Sequence, residues 1–284
     1  MTRISKFDRL KNIYNDKGLI SLLQKLFFYF LKRSFINNFF LFFTRFFYLE
    51  GWIKFAINIS NVPLKMDIDN RNLVIQKYLN KLNARPIKCL EIGTWFAEGS
   101  TKIIASAIAE NGELICVDSY KPWASVKDKK ANSIYSRLDL NVKLAEFIAY
   151  LNCKKYSSIY KIPIHLIIGT SEISLQEKYF HFIYIDGDHK YQAFSLDLNR
   201  ALLLIKDDGF IIIDDFEVHM PFKEGLIEEC EKNVDIDLIF SEIENNYIHP
   251  GVVLAIRDLL TNDNKLINVK SENGCCVISR EILM

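Results

Sequence analysis

Residues 87–101 read IKCLEIGTWFAEGST, and this stretch decides the fold. The apolar run at 87–92 is typical of a buried strand. Gly93 and Gly99 then bracket a turn, and Ser100 or Thr101 can cap the helix that the segment STKIIASAIAE predicts. A strand that passes through a glycine-containing turn into a helix begins a βαβ unit. We therefore expect a parallel sheet with a ligand-binding turn at the carboxyl end of this strand.

The rest of the chain repeats this alternation of strand and helix patterns. We predict four further strands, at ELICVD (113–118), PIHLIIG (163–169), HFIYID (181–186) and FIIIDD (210–215). Helices are predicted at 72–82, 135–151, 191–205 and 223–231, while DIDLIFSEI and GVVLAIRD, from 235 and 251, are read as extended. The predicted fold is a doubly wound, Rossmann-like α/β domain over residues 61–284, with a mostly parallel seven-stranded sheet and helices on both faces.

Residues 1–60 differ in composition from this domain. Eleven of the 21 Phe lie between Phe27 and Phe55, interspersed with lysines and arginines. The longest stretch between charges, from Arg33 to Arg45, is too short to span a bilayer. Two interpretations remain open for this helical extension. It either lies in a membrane interface through residues 20–57, or it packs as a lid or a dimer contact.

Composition excludes some classes of function. The 36 basic and 35 acidic residues leave a net charge of +1, so no nucleic-acid partner is expected. The six cysteines form no CxxC pair and two of them lie in apolar strands, which is typical of a reducing compartment. We predict a cytoplasmic protein, peripheral at the inner face of the membrane if the Phe-rich extension binds lipid, with homo-oligomers left open.

The first turn carries information about the ligand. Trp95 and Phe96 lie between the two glycines and suit a pyrophosphate cradle poorly. The carboxylate of Glu91 would repel phosphate, but it suits a cofactor with an amino-acid end. Asp118 ends the second strand, where an acid can accept hydrogen bonds from ribose hydroxyls. Thr170 and Ser171 end the third strand, where an adenine edge would fall, although a plain helix cap explains them equally well.

Two neighbouring strands are predicted to end in carboxylates, in the runs IDGDHKY (185–191) and IDDF (213–216). Asp186, Asp214 and Asp215 should therefore converge and repel one another unless a cation lies among them. A hard divalent ion such as Mg²⁺ prefers oxygen ligands and can lower the pKa of a bound hydroxyl. The competing interpretation is that each Asp only caps the helix that follows it.

These motifs resemble the class I S-adenosylmethionine-dependent methyltransferases over about residues 70–260. The DGDH-Y run, with Gly209-Phe210-Ile211-Ile212-Ile213-Asp214-Asp215, is most similar to the macrocin O-methyltransferase-like and cephalosporin-hydroxylase-like group. The resemblance implies S-adenosylmethionine as cofactor and Mg²⁺ at the three aspartates. The implied cofactor-binding residues are Glu91, Gly93, Thr94, Gly99, Ser100, Asp118, Ser119, Thr170, Ser171 and Asp186.

The proposed base also follows from the resemblance. The catechol-type enzymes carry a Lys three residues beyond the metal-binding Asp, and the corresponding residue here is His189, which together with Asp186 forms the predicted catalytic pair. Lys190 is expected to point elsewhere, and Asp188 is left as ligand, orienter or neither. Among the other histidines, His165 and His181 are expected to be structural, whereas His219 and His249 could reach the mouth of the site. Trp123 either stacks on adenine, lines the acceptor pocket or packs in a loop.

The predicted function is therefore methyl transfer to a hydroxyl of a sugar or another small natural product, through a divalent-metal-dependent O-methyltransferase. One alternative is a non-catalytic cofactor-binding or scaffold protein. Another is a nicotinamide-dependent oxidoreductase, although the compact glycine cradle that it needs is not visible.

Overall fold

The computed structural model describes residues 68–120, 142–261 and 267–280. The helices are α1 (Ile68–Lys81), α2 (Gly99–Ala107), α3 (Val142–Tyr160), α4 (Tyr191–Leu204), α5 (Leu226–Glu231) and α6 (Pro250–Thr261). The strands are β1 (Ile87–Ile92), β2 (Gly112–Asp118), β3 (Ile164–Ile168), β4 (Phe180–Ile185), β5 (Ile205–Ile213), β6 (Ile239–Ser241), β7 (Asn246–Ile248), β8 (Ile267–Glu272) and β9 (Cys275–Arg280).

Seven strands form one sheet in the order β3-β2-β1-β4-β5-β9-β8, and β6 pairs with β7 in a separate two-stranded sheet. Strands β1 to β5 are parallel, whereas β9 pairs antiparallel with both β5 and β8. The strand order reverses between β1 and β4, which makes their carboxyl ends the topological switch point. The predicted mostly parallel, seven-stranded, doubly wound sheet is confirmed.

Alternating side chains of the strands build two cores. Cys89 and Cys116 pack with α1, α2 and α3 on one face of the sheet. Leu90 and Ile92 pack with α4, α5 and α6 on the other face. Because a parallel sheet buries both of its faces, its strands carry nearly continuous apolar runs. All six cysteines are free and buried, within the part of the chain described here.

Three elements differ from the prediction, two of them in where they begin or end and one in its type. Helix α3 continues past Leu151 because Cys153 and Tyr156 extend its buried face. The strand predicted from Phe210 begins at Ile205 in the structure, and the residues between Ile205 and Phe210 form an irregularity in its register with β4. The most important correction is α6, which was read as extended.

Most side chains of α6 are buried, so its apolar residues show no clear helical period. A short apolar run of this kind cannot be distinguished from a buried strand by its pattern alone. Pro250 occupies the first helical position, where a missing N–H costs nothing. The carbonyl of His249 accepts hydrogen bonds from the N–H groups of Val252 and Val253. These contacts fix the start of the helix and the position of His249.

The described helices include none that is long and apolar enough to cross a membrane. The Phe-rich segment at 1–60 lies outside the described residues, so the two interpretations of it remain predictions.

Candidate functional site

The turn after β1 lies directly against the end of β4. Gly93 has a positive φ of 90°, and a Cβ added there would lie 1.9 Å from the carbonyl oxygen of Asp186. The N–H of Asp186 donates to the carbonyl of Ile92, and the N–H of Gly93 donates to that of Val117. Glycine is therefore required at position 93, and the ends of β1, β2 and β4 form one continuous rim.

Glu91 lies beneath this turn, completely buried. Ser100 and Thr101, at the start of α2, each donate a hydroxyl hydrogen bond of 2.6 Å to its carboxylate, and Thr94 Oγ1 lies 3.5 Å away. Burial raises the pKa of Glu91 from its usual 4.5 to about 7, although the hydroxyl donors oppose this. In this arrangement Glu91 orders the turn from below, and direct contact with a cofactor stays a prediction.

Asp118 ties the turn to the end of β2. One carboxylate oxygen accepts the N–H of Trp95 at 2.8 Å, and the other accepts the N–H of Tyr120 at 2.7 Å. The hydroxyl of Tyr120 then donates to the carbonyl of Trp95 at 2.7 Å. Trp95 and Ala97 hold positive φ angles of 46° and 55°, so the turn is shaped by these contacts as well as by glycine. A carboxylate has about four acceptor positions, so Asp118 retains capacity for ribose hydroxyls.

The other predicted cofactor-binding residues differ in their surroundings. Thr170 is exposed, and Ser119 is partly exposed beside Asp118. Ser171 is buried, and its hydroxyl donates to Asp197 of α4 at 2.5 Å. Burial raises the pKa of Asp197 to about 6. Ser171 is therefore committed to the protein interior, and Asp197, which the sequence analysis missed, supports the third-strand turn from below.

The three aspartates converge as predicted, but a guanidinium already compensates two of them. Arg71 Nη1, on α1, lies 2.9 Å from Asp214 Oδ1 and 2.5 Å from Asp215 Oδ1, and Arg71 Nη2 lies 2.9 Å from Glu217. Burial lowers the pKa of Arg71, but the carboxylates outweigh it and raise that pKa. Arg71 could not be predicted from the sequence because nothing in the helix pattern places it opposite β5.

The three aspartates titrate differently in this setting. Burial, followed by repulsion from Asp214 and Asp215, raises the pKa of Asp186 well above its usual range. Burial also raises the pKa of Asp214 to about 6. Burial acts the same way on Asp215, but His189 and Arg71 reverse the effect and lower its pKa.

As arranged here, these three residues fit Mg²⁺ poorly. Mg²⁺ demands near-ideal octahedral oxygen coordination. Asp215 Oδ1 and Asp214 Oδ1 are instead engaged by Arg71, and Asp215 Oδ2 faces imidazole nitrogens. The positive charge that the sequence analysis required is therefore supplied at least in part by the protein itself.

Two histidines lie at the inner edge of this acidic group. The rings of His189 and His249 have centroids 4.0 Å apart. His189 Nε2 lies 3.6 Å from Asp215 Oδ2 and 3.9 Å from Asp186 Oδ1. His249 Nε2 lies 3.8 Å from the same Asp215 oxygen. Of the two histidines expected at the mouth of the site, His249 therefore reaches the acidic group.

The remaining predicted residues lie elsewhere. His219 is exposed and pairs with Glu244 at 2.8 Å, and His165 is exposed on β3. The His181 Nδ1 accepts the N–H of Lys88, as expected of a structural histidine. Asp188 accepts the N–H of Lys190 at 3.0 Å and so shapes the turn before α4. Trp123 falls outside the described residues.

Comparison with solved structures gives distant likenesses. Cofactor-bound Rv0187 from MTB has a TM-score of 0.49 at 14% identity, covering 81% of this chain and 88% of that one. An O-methyltransferase from Bacillus cereus in complex with SAH has a TM-score of 0.43 at 18% identity, covering 81% and 90%. The Podospora anserina methyltransferase PaMTH1, bound to SAH, has a TM-score of 0.48 at 14% identity, covering 82% and 86%.

Comparison by sequence gives a match over part of the chain only. No curated protein matches the chain. The segment from Leu90 in β1 to Phe216, just after Asp215, contains the turn, Asp118 and the three aspartates at the ends of β4 and β5. This segment, residues 90–216, matches the family model of a methyltransferase domain.

Proposed function

We propose that the chain is an S-adenosylmethionine-dependent methyltransferase that acts on a hydroxyl group. One observation carries the proposal: the Gly93 turn, Asp118 and Asp186 meet at the switch point of the sheet, inside the segment that matches a methyltransferase domain. Open α/β sheets bind their ligands at this point.

The rim offers separate positions for the parts of the cofactor. In the turn at 93–100, Gly93 allows a ligand to approach the backbone closely, and hydroxyl groups hold Glu91 in place beneath the turn. Both features suit the methionine end of the cofactor. Asp118 has free acceptor positions for the ribose. The cofactor, when bound, supplies an electrophilic methyl group on a sulfonium centre. The protein contributes by holding the acceptor oxygen in line with that methyl group, since positioning provides much of the rate acceleration.

The acceptor would enter beside Asp186, whose side chain is 34% exposed, whereas that of His189 is only 8% exposed. Its raised pKa makes the Asp186 carboxylate a stronger proton acceptor than an ordinary aspartate. In this arrangement Asp186 would accept the proton of the acceptor hydroxyl as that oxygen takes up the methyl group. His189 was the base predicted from sequence, and it lies behind Asp186 in this arrangement.

We also propose a class of acceptor for this methyl transfer. The DGDH-Y run and the Gly-x-x-x-x-Asp-Asp strand favour a sugar or small natural product, as in the macrocin O-methyltransferase-like group. The partly exposed Asp186 can exchange hydrogen bonds with the hydroxyl groups of a neutral polyol.

Titration calorimetry of the full chain tests the proposal. We expect S-adenosylmethionine and S-adenosylhomocysteine to bind with one site each, and NADH and NADPH not to bind. Binding of the dinucleotides alone would favour an oxidoreductase instead. Absence of heat with either sulfur compound contradicts the proposal. Binding without methyl transfer to any member of a panel of sugars and phenols would favour a non-catalytic cofactor-binding protein.

A further inference from the structure

Three side-chain atoms face one small gap below the rim: His189 Nε2, His249 Nε2 and Asp215 Oδ2. One ligand atom from each of these three residues lies within 4.8 Å of the other two. Each Nε2 is 3.6–3.8 Å from the carboxylate oxygen, which is too long for a good hydrogen bond. His189 is only 7% exposed, and its Nε2 has no hydrogen-bond partner among the described residues. A buried ring nitrogen without a partner is costly, so the gap is suited to hold something that bonds to it.

Partners behind the rings prepare the two nitrogens to face this gap. His249 Nδ1 donates to the backbone carbonyl of Asp237 at 2.8 Å. In the neutral imidazole this leaves the lone pair on Nε2, directed at the gap. The Asp237 carboxylate lies 3.5 Å from His249 Nδ1 and 3.6 Å from His189 Nδ1. Metal-binding histidines commonly present their other ring nitrogen to a carboxylate or a carbonyl in this way.

The third atom is prepared in the same manner. The Asp215 Oδ1 is held by Arg71 at 2.5 Å, so its Oδ2 is the oxygen left to face the two rings. Asp215 also has a positive φ of 54°, which is uncommon for a residue other than glycine. Strain of this kind persists where the surroundings determine it, often at functional sites.

Backbone packing places the two rings together. A Cβ added at Gly251 would lie 2.4 Å from the carbonyl oxygen of His189 and 2.3 Å from the N–H nitrogen of Tyr191. Only glycine permits the start of α6 to approach the turn before α4 this closely. His249, just before α6, is thereby fixed against His189.

We propose that His189, His249 and Asp215 bind a divalent transition-metal ion of the zinc or iron type, at a site that shares only Asp215 with the predicted aspartate-only Mg²⁺ site. Ligand atoms about 2.0–2.1 Å from a tetrahedral ion lie roughly 3.3 Å apart. The two nitrogen-to-oxygen distances of 3.6 and 3.8 Å would need to close by only a few tenths of an ångström, while the two histidine nitrogens, within 4.8 Å of each other, would need to close by at most about 1.5 Å. Two imidazoles and one carboxylate leave coordination positions open, and imidazole favours transition metals over Mg²⁺.

The open side of this site faces Asp186, whose Oδ1 lies 3.9 Å from His189 Nε2. Asp186 therefore lies next to an open coordination position, where its carboxylate stays available to accept a proton. This metal site stands without the proposed methyl transfer, but it changes the expected role of His189. A nitrogen that binds a metal cannot also accept a substrate proton, so the structure assigns His189 to metal binding and leaves proton acceptance to Asp186.

Metal binding by the chelator-treated full chain tests this inference without any cofactor present. In titration calorimetry we expect one Zn²⁺ per chain and no comparable binding of Mg²⁺. Co²⁺ should give visible absorption bands of nitrogen and oxygen coordination. Bands of thiolate coordination would instead indicate binding at a cysteine and would overturn the assignment, although all six cysteines are buried.

Variants identify the ligands. His249→Gln should weaken Zn²⁺ binding by more than the roughly 10–100-fold that loss of an orienting partner causes, and Asp237→Asn should fall within that range. His165→Gln, which changes an exposed histidine on β3, should bind Zn²⁺ like the unmodified chain. Circular dichroism checks that each variant is folded. The inference is overturned if the unmodified, folded chain binds no Zn²⁺, or if His249→Gln binds it equally well.

Discussion

Gly93 and Asp186 are in backbone contact, so closely that the space for a Cβ at Gly93 is filled by the carbonyl oxygen of Asp186. The two residues end neighbouring parallel strands. The turn suited to a cofactor and the acidic rim suited to an acceptor are consequently one unit. A change in the position of either strand end would shift both parts together.

Replacing Gly93 with alanine should disrupt this contact. The new Cβ would need to move backbone atoms, and φ of 90° is unfavourable for alanine. We expect a loss of roughly 2–4 kcal/mol in the free energy of unfolding, from overpacking and backbone strain together. Urea denaturation measures it. Gly169→Ala is the matched control, since its Cβ would meet only Ile173 Cγ2 at 3.3 Å. Equal losses in the two variants would contradict the assigned contact.

Glu91 should make folding stability depend on pH. Its pKa is about 7 in the folded chain, against 4.5 when exposed, so the folded state holds the proton more tightly. The free energy of unfolding should then fall as pH rises from about 4.5 to 7, and be unaffected by Glu91 below this window. The full effect corresponds to roughly 3 kcal/mol. The free energy of unfolding is measured at pH 5 and pH 8 for the unmodified chain and for Glu91→Gln. The comparison isolates Glu91, because the other carboxyl groups contribute equally to both proteins. The same pH dependence in both proteins would rule out this role for Glu91.

The sequence was sufficient to predict the parallel strands around the site because apolar runs and the Gly93 turn are local signals. It also predicted that Asp186, Asp214 and Asp215 converge, since parallel strands end at the same edge of a sheet. It placed His189 in the site but assigned it the role of a base.

The sequence contains no local signal that places Arg71, His249 or Asp237 in the site. Each reaches the site from an element far away in the sequence, through contacts that no periodic pattern encodes. His249 was additionally obscured because the uniformly apolar α6 was read as extended, which left its start undefined. From the carboxylates alone, a metal ion was expected to supply the compensating positive charge. In the structure Arg71 supplies part of that charge.

Removing Arg71 should create a requirement for another cation. In Arg71→Met, Asp214 and Asp215 would remain buried with less positive charge nearby, and breaking a buried ion pair costs about 3–5 kcal/mol. Since the Arg71 side chain is 20% exposed, we expect roughly 2–4 kcal/mol. Millimolar Mg²⁺ should raise the melting temperature of this variant and leave the unmodified chain unchanged.

Arg257→Met provides the control for the loss of an arginine. Arg257 pairs with Glu231 and Asp258 near the surface, where such pairs contribute about 0–1 kcal/mol. Its melting temperature should be close to that of the unmodified chain and insensitive to Mg²⁺. A melting temperature of the unmodified chain that rises with Mg²⁺ would show that Arg71 does not satisfy the acidic group.

Asp118→Asn should weaken cofactor binding more than it weakens the fold. The asparagine retains one carbonyl oxygen for the N–H of either Trp95 or Tyr120, while its NH₂ group faces the other donor. The turn loses one charge-assisted hydrogen bond and the ribose loses a strong acceptor. Calorimetry should show S-adenosylmethionine bound about 10–100-fold more weakly, the equivalent of losing one such bond. Asp207→Asn, at an exposed position near the amino-terminal end of β5, should bind it like the unmodified chain. If both variants bound the cofactor equally well, Asp118 would serve only to shape the turn, and the ribose would have to lie elsewhere on the rim.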